Sequence, residues 1–229
     1  TTCSRYGRCY SMIKVGNWYV PDKHCPKGLE QELLSNIFHC ADPLAEAFKY
    51  CKKFENAIDV GAWVGDSTLL MAQQFQNVFA FEALPETYNC CVKNIFAYHL
   101  QNTIMYNVGL SDKIGLQDFY HSKAGYAGFI SEKENTGFEK TQILTSTLDY
   151  YNFTDVDFIK IDVDSHEAYV LLGAKKFFEN NNPVVMMESK SRIFDRQPDD
   201  LPDPHKILED YGYIRMSKIA KADCVYTGE

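Results

Sequence analysis

The chain has 229 residues, 45% hydrophobic and 14% aromatic, enough to bury one full core. Its 23 Lys and Arg face 31 Asp and Glu, for a net charge of −8, so the broad field repels a polyanion and no nucleic acid partner is expected. No run approaches the roughly 18 apolar residues of a membrane span, and the opening TTCSRYGRCY has no apolar signal stretch; the expectation is a cytoplasmic chain with no membrane partner.

Residues 1–26 are polar and aromatic without clear period, punctuated by Pro21 and Pro26. GLEQELLSNIFHC then reads as a helix with Leu29, Leu33, Leu34 and Ile37 on one face, and a second short helix is predicted over Pro43 to Lys52. Residues 1–55 are thus read as an N-terminal helical extension or cap, either sealing the core or lying over the acceptor side, and 56–229 as the main domain. Eight cysteines include the pairs His24-Cys25 and His39-Cys40 but no C-x-x-C, which favours small apolar residues of a reduced chain over disulfides or zinc.

AIDVGAWVGDST, residues 57–68, reads as a buried strand, a glycine-punctuated turn and a helix opening at Asp66-Ser67-Thr68. The next strand, VFAFEA, closes on Glu82. This is the first unit of a doubly wound sheet: glycines let backbone approach a ligand, loop amides and the helix start can meet a carboxylate, and an acid ending the second strand can accept from both hydroxyls of a ribose. The position two after Gly61 is Trp63, whose bulk opposes a pyrophosphate on the turn, so NAD is disfavoured. S-adenosylmethionine, with an amino-acid head and a ribose but no phosphate, suits the loop.

A helix from Pro85 and a third strand, TIMYNVGL, follow. Residues 115–145 are looser and strand-rich, either a loop over the substrate or a hairpin decorating the sheet. VDFIKIDVD is the fourth strand, HEAYVLLGAKKFFEN a helix with Ala168, Leu171, Leu172, Ala174 and Phe178 inward, and NNPVVMMES the fifth strand. HKILEDYGY is the last helix and YIRMSKIAKADCVYT a closing antiparallel hairpin. The fold class is therefore α/β, doubly wound and Rossmann-like, with the seven-stranded sheet of a class I methyltransferase and a C-terminal antiparallel hairpin.

Several blocks agree in order, namely IDVGAWVGDST, FAFEALPETYNCCVKNI, NVGLSDKIG, STLDYY, DFIKIDVDSHEAYVLLGAKKFF and NPVVMMES. Over about Ala57 to Ser191 the chain resembles the FkbM family of S-adenosylmethionine-dependent O-methyltransferases. It departs from that pattern at Asp164-Ser165, where the family usually has Glu-Gly. The resemblance implies methyl transfer to a hydroxyl, typically of a sugar or glycan. Carried over by motif, Asp59, Gly61 and Gly65 would hold the cofactor's amino-acid head, Glu82 its ribose, and Ser111 with Asp112 would border the adenine.

Methyl transfer from a sulfonium needs an aligned hydroxyl and a proton acceptor or metal. The end of the fourth strand supplies Lys160 and Asp162 on one side, followed by Asp164, His166 and Glu167. His166 is the best-matched base, Asp162 a second candidate, and Lys160 would need a lowered pKa. A metal version pairs Asp162 with Glu188, joined by Asp164 or His166, around Mg²⁺ or Mn²⁺. Trp63, Tyr126, Phe129, Tyr169 and Phe194 lie near the expected rim, and Tyr126 and Arg192 are the expected acceptor contacts. Two other readings stand beside the sugar O-methyltransferase: a ribose 2′-O-methyltransferase, which the charge opposes, and a non-catalytic cofactor-binding module of a glycan-modifying assembly. A homodimer could use the first two helices or the final hairpin.

Overall fold

The computed structural model describes residues 2–3, 9–22, 27–122, 128–130, 137–188, 203–219 and 223–228. In chain order its first elements are β1 (Thr2–Cys3), β2 (Cys9–Tyr10), β3 (Met12–Val15), β4 (Trp18–Pro21), α1 (Lys27–Ser35) and α2 (Ala41–Phe48). Then come β5 (Asn56–Val60), α3 (Asp66–Ala72), β6 (Asn77–Phe81), α4 (Pro85–Ala97), β7 (Thr103–Tyr106), β8 (Gly109–Leu110), β9 (Gly115–His121), β10 (Gly128–Ile130) and β11 (Glu139–Ser146). The rest are β12 (Val156–Ile161), α5 (Glu167–Leu172), α6 (Lys175–Asn180), β13 (Val184–Glu188), α7 (Pro204–Asp210), β14 (Tyr213–Ile219) and β15 (Asp223–Gly228).

The main sheet has seven strands in the order β14-β15-β13-β12-β5-β6-β7. The five strands from β13 to β7 are parallel, and β15 enters antiparallel between β13 and β14 to make the expected closing hairpin. Central strands buried on both faces read as apolar runs because helices cover each side. On one face Ile58, Val60, Ile159 and Ile161 pack against Ala168, Leu171, Phe178 and Leu208. On the other, Ala57 and Phe158 pack with Leu33, Leu44, Leu69 and Met71. Asp59 and Lys160 are register partners across β5 and β12, on the face of Ala57 and Phe158. Strand order reverses between β5 and β12, which opens a crevice at their carboxyl ends.

Beside that crevice stands a second sheet, β10-β9-β11-β8, in which β9, β10 and β11 form a wall of antiparallel strands. The expected third strand is divided: Thr103–Tyr106 joins the main sheet, while Gly109–Leu110 pairs with Thr145–Ser146 in the smaller one.

Three local expectations are corrected. The unpatterned first residues contain a hairpin, β3–β4, whose Trp18 is fully buried, packs on Phe38 and Tyr98, and donates its indole N–H to Asn36 Oδ1 at 2.9 Å. Asn94 ties this hairpin to the loop after β5, accepting from Tyr19 N and donating to Tyr19 O and Val64 O. Helix α1 ends at Ser35 because Asn36 turns left-handed, leaving Leu34 (57%) and Ile37 (71%) exposed rather than on a buried stripe. The predicted helix over 166–180 breaks into α5 and α6 around Gly173. A Cβ there would lie 2.0 Å from Ser111 O, and Leu172 faces outward. Among the described residues no helix is long and apolar enough to cross a membrane.

Candidate active site

The loop after β5 is shaped by what it passes. Gly61 has φ +84°, and a Cβ would sit 1.9 Å from the carbonyl oxygen of Asp162, so only glycine lets the turn cross the end of β12. Gly61 N and Ala62 N both donate to Phe81 O at 3.0 Å. Gly65, at φ +97°, is needed for packing on α4, since a Cβ would be 2.8 Å from Cys91 Sγ.

Glu82 joins this loop to the next helix. Its Oε2 accepts from Trp63 N at 2.9 Å, and its Oε1 accepts from Leu84 N at 2.9 Å and Thr87 Oγ1 at 2.7 Å. Burial pushes its pKa up to about 7, against the lowering effect of those three donors. Trp63 itself sits at φ +47°, an unusual backbone conformation for a bulky residue.

Asp59 is sealed. It is fully buried, its Oδ2 accepts from Ser67 Oγ at 2.8 Å and Thr68 Oγ1 at 2.6 Å, and its Oδ1 lies 3.4 Å from Lys160 Nζ. That last contact is a charge pairing without hydrogen-bond geometry. Lys160 also lies 3.3 Å from Asp162 Oδ2 and donates to Gly61 O at 3.4 Å. Burial alone would lower the lysine pKa, but Asp162, Asp59 and Asp66 outweigh it and hold the group above its ordinary value. The expectation of Lys160 as a base is thereby corrected, because its charge is stabilised and it is a fixed ammonium.

A cavity of 310 Å³ occupies the crevice. Part of its lining is apolar, with Phe81, Leu84, Val108, Leu110 and Ile143. Gly61, Trp63 and Glu82 line it from the loop after β5 and the end of β6, and Asp66, Ser67, Cys40 and His39 from the start of α3 and the segment before α2. Lys160, Asp162, Asp164, His166 and Glu188 line the side given by β12 and β13, and Phe119, His121 and Gly128 line the side given by the smaller sheet. Of the sequence candidates, Gly61, Glu82, Lys160, Asp162, His166 and Glu188 therefore meet on one cavity, whereas Asp59, Gly65, Ser111 and Asp112 do not line it. Tyr126 and Arg192 lie outside the described residues, as does Phe194.

His166 is buried, stacks on Tyr169 with centroids 4.6 Å apart, and its Nε2 is 3.0 Å from Ser111 Oγ. Ser111 Oγ donates in turn to Asp112 Oδ1 at 3.1 Å. Burial, opposed by Asp112 and reinforced by Lys113, pushes the imidazole pKa down to about 4. At neutral pH the ring is neutral, weakly basic and oriented, not the near-neutral base expected. The adjoining turn holds Asp164 at φ +50° and Ser165 at φ +75°. Asp164 Oδ2 accepts from Gly128 N at 3.2 Å, and Glu167 Oε1 accepts from Val163 N and Ser165 N.

The metal expectation is not met by these residues. Among the described residues no group of three or more His, Cys, Asp and Glu could hold a metal ion, and Asp162 faces the Lys160 ammonium. The Asp162 and Glu188 pairing with Mg²⁺ or Mn²⁺ thus enters no step below. An adenosyl group does fit: apolar side chains, the strand-end carboxylate of Glu82 and the buried carboxylate of Asp66 line one cavity.

Sequence reasoning missed His39, Cys40 and Leu29, which reach the cavity from the N-terminal segment, and Phe119 from the smaller sheet. The His39-Cys40 pair was the available signal, but its spacing suits no metal motif, and the alternative that the first two helices lie over the acceptor side named none of these side chains.

Fold and cavity together fit the doubly wound fold of S-adenosylmethionine-dependent methyltransferases. The chain belongs to the FkbM methyltransferase family, whose methyltransferase FkbM domain matches residues 59–215. Comparison with curated proteins gave no match. Among solved structures it is similar to methyltransferase FkbM from Methylobacillus flagellatus KT, with 15% identity and TM-score 0.54 over 90% of this chain and 56% of that one. The chain thus spans little more than half of that relative's length. It is also similar to magnesium protoporphyrin IX methyltransferase from Synechocystis PCC 6803, with 10% identity, TM-score 0.53 and coverage of 90% and 86%. A third is the putative methyltransferase yhhF from Escherichia coli, at 11% identity and TM-score 0.52, covering 96% and 99%. At such identities these likenesses establish the fold.

Proposed function

We propose that the protein transfers a methyl group from S-adenosylmethionine to a hydroxyl of a sugar or glycan. The observation that carries this reading is the wall beyond Glu82. There Asp162, Asp164, His166, His121 and Glu188 offer hydrogen-bonding groups around one space, beside the ring of Phe119. A polyhydroxylated acceptor is gripped by that mixture of polar groups and aromatic surface.

The bound cofactor supplies a methyl group on a sulfonium, open to in-line attack by an oxygen. The chain's residues do the rest. Glu82 accepts from the ribose hydroxyls, Phe81, Leu84, Val108 and Leu110 exclude water around the base, and Gly61 lets the backbone approach the sulfur side. Asp162 accepts the acceptor hydroxyl's proton as the oxygen attacks, and Lys160 holds its carboxylate in place. His166, neutral and fixed by Ser111, orients the acceptor through a hydrogen bond; Ser111 and Asp112 act through it. Residues 1–55 serve as a cap, a role supported by Leu29, His39 and Cys40 on the cavity wall.

The test is methyl transfer from isotopically labelled cofactor to a panel of methyl glycosides, read by mass spectrometry, with D162A as control. Labelled glycoside from the wild type and none from D162A, with cofactor affinity changed by only a few-fold, is the expected result. Full activity in D162A removes that residue from the mechanism. Tight cofactor binding without transfer to any carbohydrate rejects the sugar acceptor.

A further inference from the structure

We propose that Asp66, with Cys40 as its donor, forms the subsite for the α-ammonium of the cofactor's amino-acid head. This rests on the methyltransferase reading and reassigns a role the motif would give to Asp59. Asp59 cannot take it, because its carboxylate is wholly buried and engaged by Ser67, Thr68 and Lys160.

Asp66 is a second carboxylate that lines the cavity Glu82 lines. It is the first residue of α3, is only 7% exposed, and lies on the cavity wall beside Ser67 and Cys40. Cys40 Sγ donates to its Oδ2 at 3.6 Å, a weak bond from a thiol. No ion pair to it is formed among the described residues. Lys160, whose charge reaches it, is committed to Asp59 and Asp162. Burial raises the Asp66 pKa, partly opposed by Lys160 and His39.

A carboxylate withdrawn from water with no cation in direct contact is unfavourable, and a ligand carrying its own cation relieves it. The head of the cofactor carries such a cation, and Glu82 on the same cavity marks where the ribose lies. The donor comes from the segment between α1 and α2, so the N-terminal cap completes the cofactor site as well as covering it.

The experiment is calorimetric titration of wild type and D66N with S-adenosylhomocysteine and with its analogue lacking the α-amino group but keeping the carboxylate. The wild type is expected to bind S-adenosylhomocysteine about tenfold or more tightly than the analogue, as for a charge-assisted hydrogen bond. D66N should lose that preference while binding the analogue as the wild type does. A wild type that does not distinguish the two ligands overturns the subsite, as does a D66N variant weakened equally for both. A crystal structure of the complex reads the contact without any variant: the ammonium nitrogen in hydrogen-bond reach of Asp66 supports it, and the nitrogen bound elsewhere overturns it. Absence of S-adenosylhomocysteine binding to the wild type would reject the methyltransferase reading too, whereas binding undiminished in D66N removes the subsite alone.

Discussion

Replacing Lys160 by Met is the sharpest test of the charge arrangement under the active site. The side chain is nearly buried and lies between Asp59 and Asp162. Its loss leaves Asp59 inside the protein with two hydroxyl donors and no cation. Asp162, at 37% side-chain exposure, is rescued by water. Stranding one partner of a buried pair costs about 3–5 kcal/mol, and at about 2–4 °C per kcal/mol for a chain of this size the melting temperature should fall by about 6–20 °C. Asp59→Asn should cost less, about 2–4 kcal/mol, since Lys160 keeps Asp162. The double variant removes both charges and should be more stable than additivity allows by at least about 2 kcal/mol. The lysine pKa is raised above its ordinary 10.5, so the stability it contributes is fully present below that value and is lost only as pH rises through the raised one. The lysine's own contribution should therefore be constant across neutral pH. Thermal and urea melts followed by circular dichroism measure all of this. A K160M melting point within 3 °C or so of wild type, or an additive cycle, would refute the account.

Ser165 occupies a left-handed position at φ +75°, so Ser165→Gly should relieve about 1–2 kcal/mol of backbone strain against about 0.5–1 kcal/mol of added chain entropy; a small rise in melting temperature is expected, and a fall would deny the strain. Gly61→Ala meets both a positive φ and the Asp162 carbonyl, and should cost about 3 kcal/mol or more, seen as a lost or sharply lowered melting transition. Burial raises the Glu82 carboxyl from 4.5 to about 7, so the native state holds a proton the unfolded chain has released, and stability should decline as pH rises from about 4.5 to 7. Glu167, also raised by burial to about 7, adds to that slope, and urea midpoints across the range should show Glu82→Gln flattening it partly but not wholly.

The order of strands and helices was legible because apolar runs, glycine turns and prolines at helix starts report on local backbone chemistry, and Gly61, Pro85 and Glu82 each stand where such rules place them. What escaped depends on contacts distant in sequence. The β3–β4 hairpin has four-residue strands with no long alternation, and it is held by Trp18 against Phe38 and Tyr98. The break at Gly173 follows from the approach of Ser111, 62 residues earlier, and nothing in the helical period announces it. At the site, the strand-end acids were readable as a group, but not which of them faces ligand. Asp59 and Asp66 are both acids of one loop-flanking motif, and only packing sends the first into the Ser67, Thr68 and Lys160 lattice and the second onto the cavity. Departure from Glu-Gly at Asp164-Ser165 left the turn's shape open. In the structure Asp164 and Ser165 both take left-handed φ values, and Asp164 accepts from Gly128 N.

The charge of the cavity wall leads to one more expectation. Its described carboxylates include Asp66, Glu82, Asp162, Asp164 and Glu188, while Lys160, its described lysine, is already compensated by Asp59 and Asp162. A sulfonium enters this field with one more positive charge than the thioether left after transfer. A unit charge about 6 Å from one carboxylate gains about 3 kcal/mol at an effective dielectric of about 20, and desolvation of the charged ligand removes part of that. S-adenosylmethionine should therefore bind about tenfold more tightly than S-adenosylhomocysteine, and the difference should narrow as salt screens the partly exposed Asp162. Asp162→Asn should narrow it further while leaving S-adenosylhomocysteine binding nearly unchanged. If both ligands bind equally at every ionic strength, the wall's charge does not reach the reacting sulfur, and Asp162 cannot stand close enough to it to accept the proton.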